Sequence, residues 1–294
     1  MRVKVLTRQR IKTAVSASAT VVLVGVLSGC TNVQSGFLPG DDGLTSQTDG
    51  IRTMWTTAWA VLLVIGVLVW GLIIWSVIAY RRRKGETGLP PQMRYNMPIE
   101  ALYTLVPLIL IIGFGAYTIN ETYALEARAD ETDTSVVHVE AIGQQWTWTF
   151  NYTDADVHEP DGMPAQYVSG DDYDRSELPT LWLPVGQTVE IALESRDVAH
   201  SFWVPDFLYK KDTIPGRTNY WTFTPQVEGT YNGTCAELCG EYHSMMLFNL
   251  KVVSVEEYEA HLEDLEEQGY TGTISTEYNR NQNLPGASAS TGAE

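Results

Sequence analysis

The chain has 294 residues and a formal net charge of −17, from 36 acidic against 19 basic side chains. Residues 1–119 hold 11 Lys and Arg against 5 Asp and Glu, a balance of +6, while residues 120–294 hold 8 against 31, a balance of −23. A half this acidic repels nucleic acid and suits a basic protein partner, and the length admits two domains or one domain plus membrane segments.

Residues 1–29 read as a secretory signal: Arg2, Lys4, Arg8, Arg10 and Lys12 precede the apolar run Ala14–Leu27, which is short of the about 20 residues a span needs. Leu27-Ser-Gly-Cys30 resembles the bacterial lipobox, which implies cleavage before Cys30 and lipidation of that cysteine; an ordinary signal peptide with a chance cysteine is the alternative. Residues 30–54, rich in Gly, Asp, Ser and Thr, read as an extracytoplasmic linker. Ala58–Tyr80 is long and apolar enough to cross a bilayer, with Trp55, Trp59, Trp75 and Tyr80 near its ends as interfacial aromatics. Arg81-Arg-Arg-Lys84 marks the cytoplasmic side. Ile99–Ile119 is a second span, containing Pro107, so residues 55–119 predict a two-helix transmembrane hairpin that returns the chain to the outside. Glu100, in that span's first turn, is either a functional acid at membrane depth or a favourable charge at a helix N-terminus.

From Thr134 the pattern changes to short alternating runs separated by turn residues. Val136–Ala141, Gln144–Tyr152, Leu181–Leu183, Gln187–Glu194, Ala199–Val204, Thr218–Thr224, Gly229–Gly233 and Leu247–Val253 predict strands of a β-sandwich or barrel. Trp146, Trp148 and Phe150 fall on one face of the second run, which reads as packing. The acidic insert Thr153–Glu177 predicts a surface loop. Residues 254–294 predict a helix and then a tail: Ser254-Val-Glu-Glu257 has the capping-box spacing, and Val255, Tyr258, Leu262 and Leu265 recur at helical intervals. From Gly269 the sequence is polar and its end reads as disordered. His138, His158 and His261 have no partners in sequence and read as ordinary.

One stretch is dense in metal-ligating side chains: Cys235-Ala-Glu-Leu-Cys239-Gly-Glu-Tyr-His243-Ser-Met-Met246, with His200 upstream. Thiols, imidazoles and a thioether favour copper over oxygen-seeking magnesium, calcium or manganese. A mononuclear blue-copper site needs one Cys, two His and a weak Met; the second thiol would allow two coppers to share bridging sulfurs. A Cys235–Cys239 disulfide is open in an extracytoplasmic domain, and a structural zinc site is weaker because Met is a poor zinc ligand.

The stretch resembles the dinuclear copper (CuA) loop C-x-E-x-C-x-x-x-H-x-x-M of cytochrome c oxidase subunit II. Asp197-Val-Ala-His200-Ser is similar to that family's strand bearing the first histidine, and Lys211-Asp-Thr-Ile-Pro-Gly-Arg217 to the loop after it. The likeness runs from about Met54 to about Val253. It implies a membrane-anchored all-β protein, two transmembrane helices followed by a cupredoxin-like Greek-key β-barrel at residues 120–253.

By that resemblance Cys235 and Cys239 bridge two coppers, His200 and His243 each cap one, and Met246 and the carbonyl of Glu237 are weaker outer ligands. The Glu237 carboxylate, a hard donor, then suits magnesium shared with subunit I. Gln144-Gln-Trp146-Thr-Trp148 resembles the family's aromatic segment, which implies that Trp146 receives the electron from cytochrome c; Gln144 stands where many members have His. Asn96-Met-Pro-Ile-Glu100 resembles the start of the family's second helix, which implies Glu100 at the mouth of a proton pathway into subunit I.

The implied function is transfer of electrons from cytochrome c, soluble or membrane-tethered, through dinuclear copper to haem in subunit I. There oxygen is reduced to water with proton translocation, at the plasma membrane of a bacterium and with the copper domain outside. The alternative is a copper-free quinol-oxidase-type structural subunit, which would not carry this ligand set. A membrane-anchored copper carrier would not need the Glu100 segment or Trp146. A nitrous-oxide-reductase-type domain would lack the two spans.

Overall fold

The computed structural model describes residues 36–89, 92–130, 132–160 and 175–277. The stretch expected to be a signal sequence, Cys30, most of the acidic insert and the last 17 residues lie outside the described residues. The chain divides into two compact units, one of residues up to Leu38 with Arg52–Arg81, the other of Pro39–Ile51 with Arg82 onward.

Helix α1 (Thr48–Ala79) begins ten residues before the predicted span. The reason is local: Thr45 Oγ1 accepts from the amides of Gln47 and Thr48, both at 3.2 Å, and Thr48 Oγ1 donates to the Thr45 carbonyl at 3.0 Å. Free amides of the first turn are thereby satisfied. Helix α2 (Met97–Leu125) is capped by Asn96, whose Oδ1 accepts from Ile99 N, and it carries Pro107 internally. Both helices are long, apolar and unburied by the chain itself. A helix apolar on all sides needs lipid or protein to cover it.

The rest is two five-stranded sheets. One has the order β3-β2-β1-β5-β8 and the other β4-β10-β9-β6-β7, with β1 Val137–Gln144, β2 Thr147–Tyr152, β3 Val157–His158, β4 Thr180–Pro184, β5 Val189–Ser195, β6 His200–Val204, β7 Tyr209–Thr213, β8 Asn219–Phe223, β9 Gly229–Cys235 and β10 Leu247–Val253. Strand β1 runs antiparallel to β2 and parallel to β5, and β10 runs antiparallel to β9 and parallel to β4. This is a cupredoxin-like arrangement. Alternating residues of both sheets fill the core, where Phe202 stacks on Phe248 at 4.5 Å and Trp148 meets both rings edge-on.

Four expectations need correction. The run Gln144–Tyr152 is broken by a turn at residues 145–146, so Trp146 leaves the core face while Trp148 and Phe150 stay buried. Strand β7, Tyr-Lys-Lys-Asp-Thr, is too polar to read as a strand, yet it pairs with β6 from Val204↔Tyr209 to His200↔Thr213. The linker is not free: Leu44 enters the core, Gln226 N donates to the Leu44 carbonyl at 2.9 Å, and Ser46 N donates to the Thr224 carbonyl at 2.9 Å. The polar segment after Gly269 is docked by backbone bonds as far as Gly272, with His158 N donating to the Tyr270 carbonyl (3.0 Å) and Gly272 N to the Asp156 carbonyl (2.7 Å), and beyond that by the side chains of Asn151 and Arg196.

Helix α3 (Val255–Glu267) buries Tyr258 and Leu265, and Ser254 Oγ accepts from Glu257 N at 3.1 Å. Only this half of the capping box forms, because the Glu257 carboxylate accepts from Lys251 Nζ at 3.0 Å. His261 stacks on Trp182 at 4.1 Å and bonds to Glu159 at 2.7 Å, which is a packing role.

The end of α2 is tied to the sheet by a buried carboxylate. Glu190 accepts from Arg128 at 2.7 and 3.3 Å, from Thr222 Oγ1 at 2.9 Å and from Ala129 N at 3.1 Å. Gln47 Nε2 donates to the carbonyls of Leu125 (3.2 Å) and Thr222 (2.8 Å), and Gln47 Oε1 accepts from Trp221 Nε1 at 2.9 Å.

Candidate metal centre

Pairing of two strands assembles the centre. Cys235 closes β9 and sits beside β6 through the pair Phe202↔Cys235. Its amide donates to the Met246 carbonyl at 3.0 Å, which clamps the loop between β9 and β10 at its base. The loop ends in a single 3₁₀ turn, His243–Met245, so Met246 and not Met245 is turned into the interior. His200 opens β6 and is fully buried.

The donor atoms converge. Cys235 Sγ lies 3.9 Å from Cys239 Sγ, 3.9 Å from His200 Nδ1 and 3.2 Å from the Glu237 carbonyl oxygen. Cys239 Sγ lies 3.6 Å from His243 Nδ1 and 3.8 Å from Met246 Sδ. Each imidazole is thus assigned to one thiol, and both cysteines are free, which removes the disulfide reading. In protein sites thiolate–metal and imidazole–metal bonds run about 2.3 and 2.0 Å. The sulfur and imidazole donors, 3.6–3.9 Å apart, would subtend one ion at roughly 110–130°, so they fit metal without rearrangement, and their softness fits copper.

The thiols share a proton unequally. The Cys235 thiol is held from 9.0 down to about 3, chiefly by the hydrogen bond from Cys239, with burial opposing and His200 assisting. The same bond, together with burial, pushes the Cys239 thiol up. Metal binding at such a pair would displace its remaining proton.

Around the donors is a supporting shell that sequence reading did not assign. Asp197 Oδ1 lies 2.8 Å from His200 Nε2, which turns Nδ1 toward Cys235. A carboxylate behind a ligating histidine fixes its tautomer and orientation. Burial acts to lower the His200 pKa, but Asp197 and then Cys235 outweigh it and raise it. Asp197 is held by the amides of Gln145 and Val198, both at 2.7 Å. An acid three residues before a ligand histidine was the available signal. Gly143 is required here: a Cβ would lie 2.9 Å from the His200 ring.

Trp146 lies at the turn beside the loop. Its ring meets Tyr242 edge-on at 4.9 Å, and a Cβ on Gly240 would lie 3.0 Å from its six-membered ring. Gln145 Nε2 donates to the Cys239 carbonyl at 2.6 Å. Glu237 turns its carbonyl inward while the residue as a whole is exposed. Glu100 is elsewhere, in the first turn of α2, where its Oε1 accepts from Asn96 N at 2.9 Å. That bond satisfies an N-terminal amide, as the helix-start reading expects.

Residues 137–253 match the family described as cytochrome c oxidase subunit II, periplasmic domain, and residues 31–120 match its transmembrane domain. A probable cytochrome c oxidase subunit 2 of Streptomyces coelicolor is 41% identical over 280 residues, 86% of each chain. The chain belongs to the cytochrome c oxidase subunit II family. The subunit 2 of Mycobacterium bovis is 30% identical over 287 residues, 82% of this chain and 78% of that one. The crystal structure of the periplasmic domain of subunit II from Bradyrhizobium japonicum is 29% identical, covers 49% of this chain and 99% of that one, and has a TM-score of 0.40.

As a subunit II, the chain is part of a haem–copper oxidase and is anchored in a membrane through its two apolar helices. Its β domain is that family's copper-binding domain, and in it ligand atoms of His200, Cys235 and Cys239 lie within 4.8 Å of one another. The copper-free quinol-oxidase alternative is not favoured.

Proposed function

We propose that this subunit II takes electrons from cytochrome c at a dinuclear copper centre and passes them to haem in subunit I. The observation that carries the reading is the convergence of two thiols, two imidazoles and a thioether, each imidazole against its own thiol. Copper bound there supplies one-electron redox chemistry. Cys235, Cys239, His200 and His243 would hold it, with Met246 and the Glu237 carbonyl as weaker donors. Asp197 holds His200 in the ligating tautomer, and burial of Cys235, Cys239 and Met246 keeps water from the sulfurs.

Trp146 receives the electron. Its ring lies against Gly240, next to Cys239, and Gln145 bonds to the Cys239 carbonyl, so the path to the centre is short. Gln144 in place of histidine leaves this contact in place. The acidic β domain steers a basic cytochrome c, soluble or tethered, by long-range attraction that salt weakens. The Glu237 carboxylate faces outward, which suits magnesium shared with subunit I. Glu100 stands at the proton-pathway mouth and shares its carboxylate with the capping bond to Asn96. The basic run Arg81-Arg-Arg-Lys84 after α1 favours the copper domain outside a bacterial plasma membrane, with Cys30 lipidated.

The test is reduction of the centre by cytochrome c in the whole oxidase carrying Trp146→Phe. The expected result is reduction slowed at least tenfold with copper content intact; an unchanged rate removes Trp146 from the route.

A further inference from the structure

The segment after α3 reaches the metal centre through one buried arginine. Asn151, fully buried on β2, grips the segment with both ends of its amide, Nδ2 donating to the Ile274 carbonyl at 2.9 Å and Oδ1 accepting from Ile274 N at 3.0 Å. One residue on, the Ser275 carbonyl accepts from Arg196 Nη2 at 3.2 Å. Arg196 is 4% exposed, its Nη1 donates to Gln144 Oε1, and its amide donates to the Gly143 carbonyl at 2.9 Å. Gly143 is the glycine that admits the His200 ring, and Gln145, next to Gln144, holds Asp197.

We propose that Tyr270–Ser275 is a strap that positions the first metal histidine. It holds Arg196 across Gln144 and so locks the loop Arg196–His200 onto the β1–β2 hairpin. Arg196 is therefore a positioning residue. Its planar fork reaches Gln144 and the Ser275 carbonyl at once, which a lysine cannot reproduce. Two features find a common reason in this. The polar segment is held at Ser275 because a buried guanidinium needs its carbonyl as an acceptor. Gln144 supplies the other acceptor.

The inference rests on His200 being a copper ligand. It is tested on the whole oxidase by hydrogen exchange and by the magnetic-resonance signature of the copper, for Arg196→Gln and for a chain ending at Gly272. That shorter chain keeps Arg196, the packed Tyr270 and every strand. The expected result is that amides 196–199 exchange about tenfold faster in both variants, the scale of one lost charge-assisted hydrogen bond. The copper signature should shift at unchanged copper content, and Arg196→Lys should restore it only in part. Faster exchange confined to Asn151–Asp156, with amides 196–199 and the copper signature as in the wild type, would overturn the strap's role. Should Arg196→Gln fail to assemble, the shortened chain decides alone. A wild-type oxidase without copper at this site would instead overturn the ligand reading, and the exchange comparison still tests the strap.

Discussion

The β domain contains two buried polar clusters that differ in one respect. Around Glu190 the charge is complete within the chain: Arg128, Thr222 and Ala129 supply every bond the carboxylate needs. Around Cys235 and Cys239 the contacts are looser: two thiols, two imidazoles and a thioether meet at 3.6–3.9 Å, against 2.7–3.3 Å for the bonds to Glu190. Soft donors gathered at that spacing leave room for a soft metal ion, and copper is one. Glu190 is a structural weld, and the sulfur cluster is a receptor.

Substitutions can break this contrast at either end. The largest effect belongs to Cys235→Ser, which removes the shared soft donor. Copper content should fall to near zero and cytochrome c oxidation by at least about a hundredfold, since loss of an outer support alone costs 10–100-fold; metal analysis and steady-state turnover check it. Asp197→Ala is that outer loss, and should weaken copper retention against a chelator by about 10–100-fold with the ligands all in place.

Glu190→Gln should do the reverse. It should cost about 2 kcal/mol of stability by thermal melting and leave copper content unchanged. Burial acts to raise the Glu190 carboxyl, but hydrogen bonds from Arg128, Thr222 and Ala129 outweigh it and hold the group below its ordinary 4.5. The stabilisation is therefore complete above that value and lost as pH falls through the lower, folded one. The wild type should lose melting temperature on acidification over that window, and Glu190→Gln should lose less. Ser254→Ala touches neither cluster and should cost only about 1 kcal/mol, the worth of one N-cap.

The two clusters were also unequally legible in the sequence. Five candidate metal ligands were readable because four fall in one loop whose spacing carries the chemistry. Asp197 and Arg196 were adjacent in the text but silent, since their meaning comes from Gln145, Gln144 and Ser275, contacts that only the folded sheet creates. Glu190 looked like any polar residue on an alternating strand. Most strands could be read from alternation, whereas β7 could not, because as an edge strand it is held by the backbone of β6 and not by apolar side chains. The strap after Gly269 was unreadable for the same reason. Its order comes from hydrogen bonds to its backbone, from strand amides and from the side chains of Asn151 and Arg196, and these leave no hydrophobic pattern.

The central claim is that the loop holds two coppers bridged by Cys235 and Cys239. Magnetic resonance of the oxidised centre in the purified oxidase tests it most directly, together with a copper count per subunit. The account predicts one unpaired electron shared by two equivalent copper nuclei at this site. Hyperfine coupling to a single copper nucleus would contradict it.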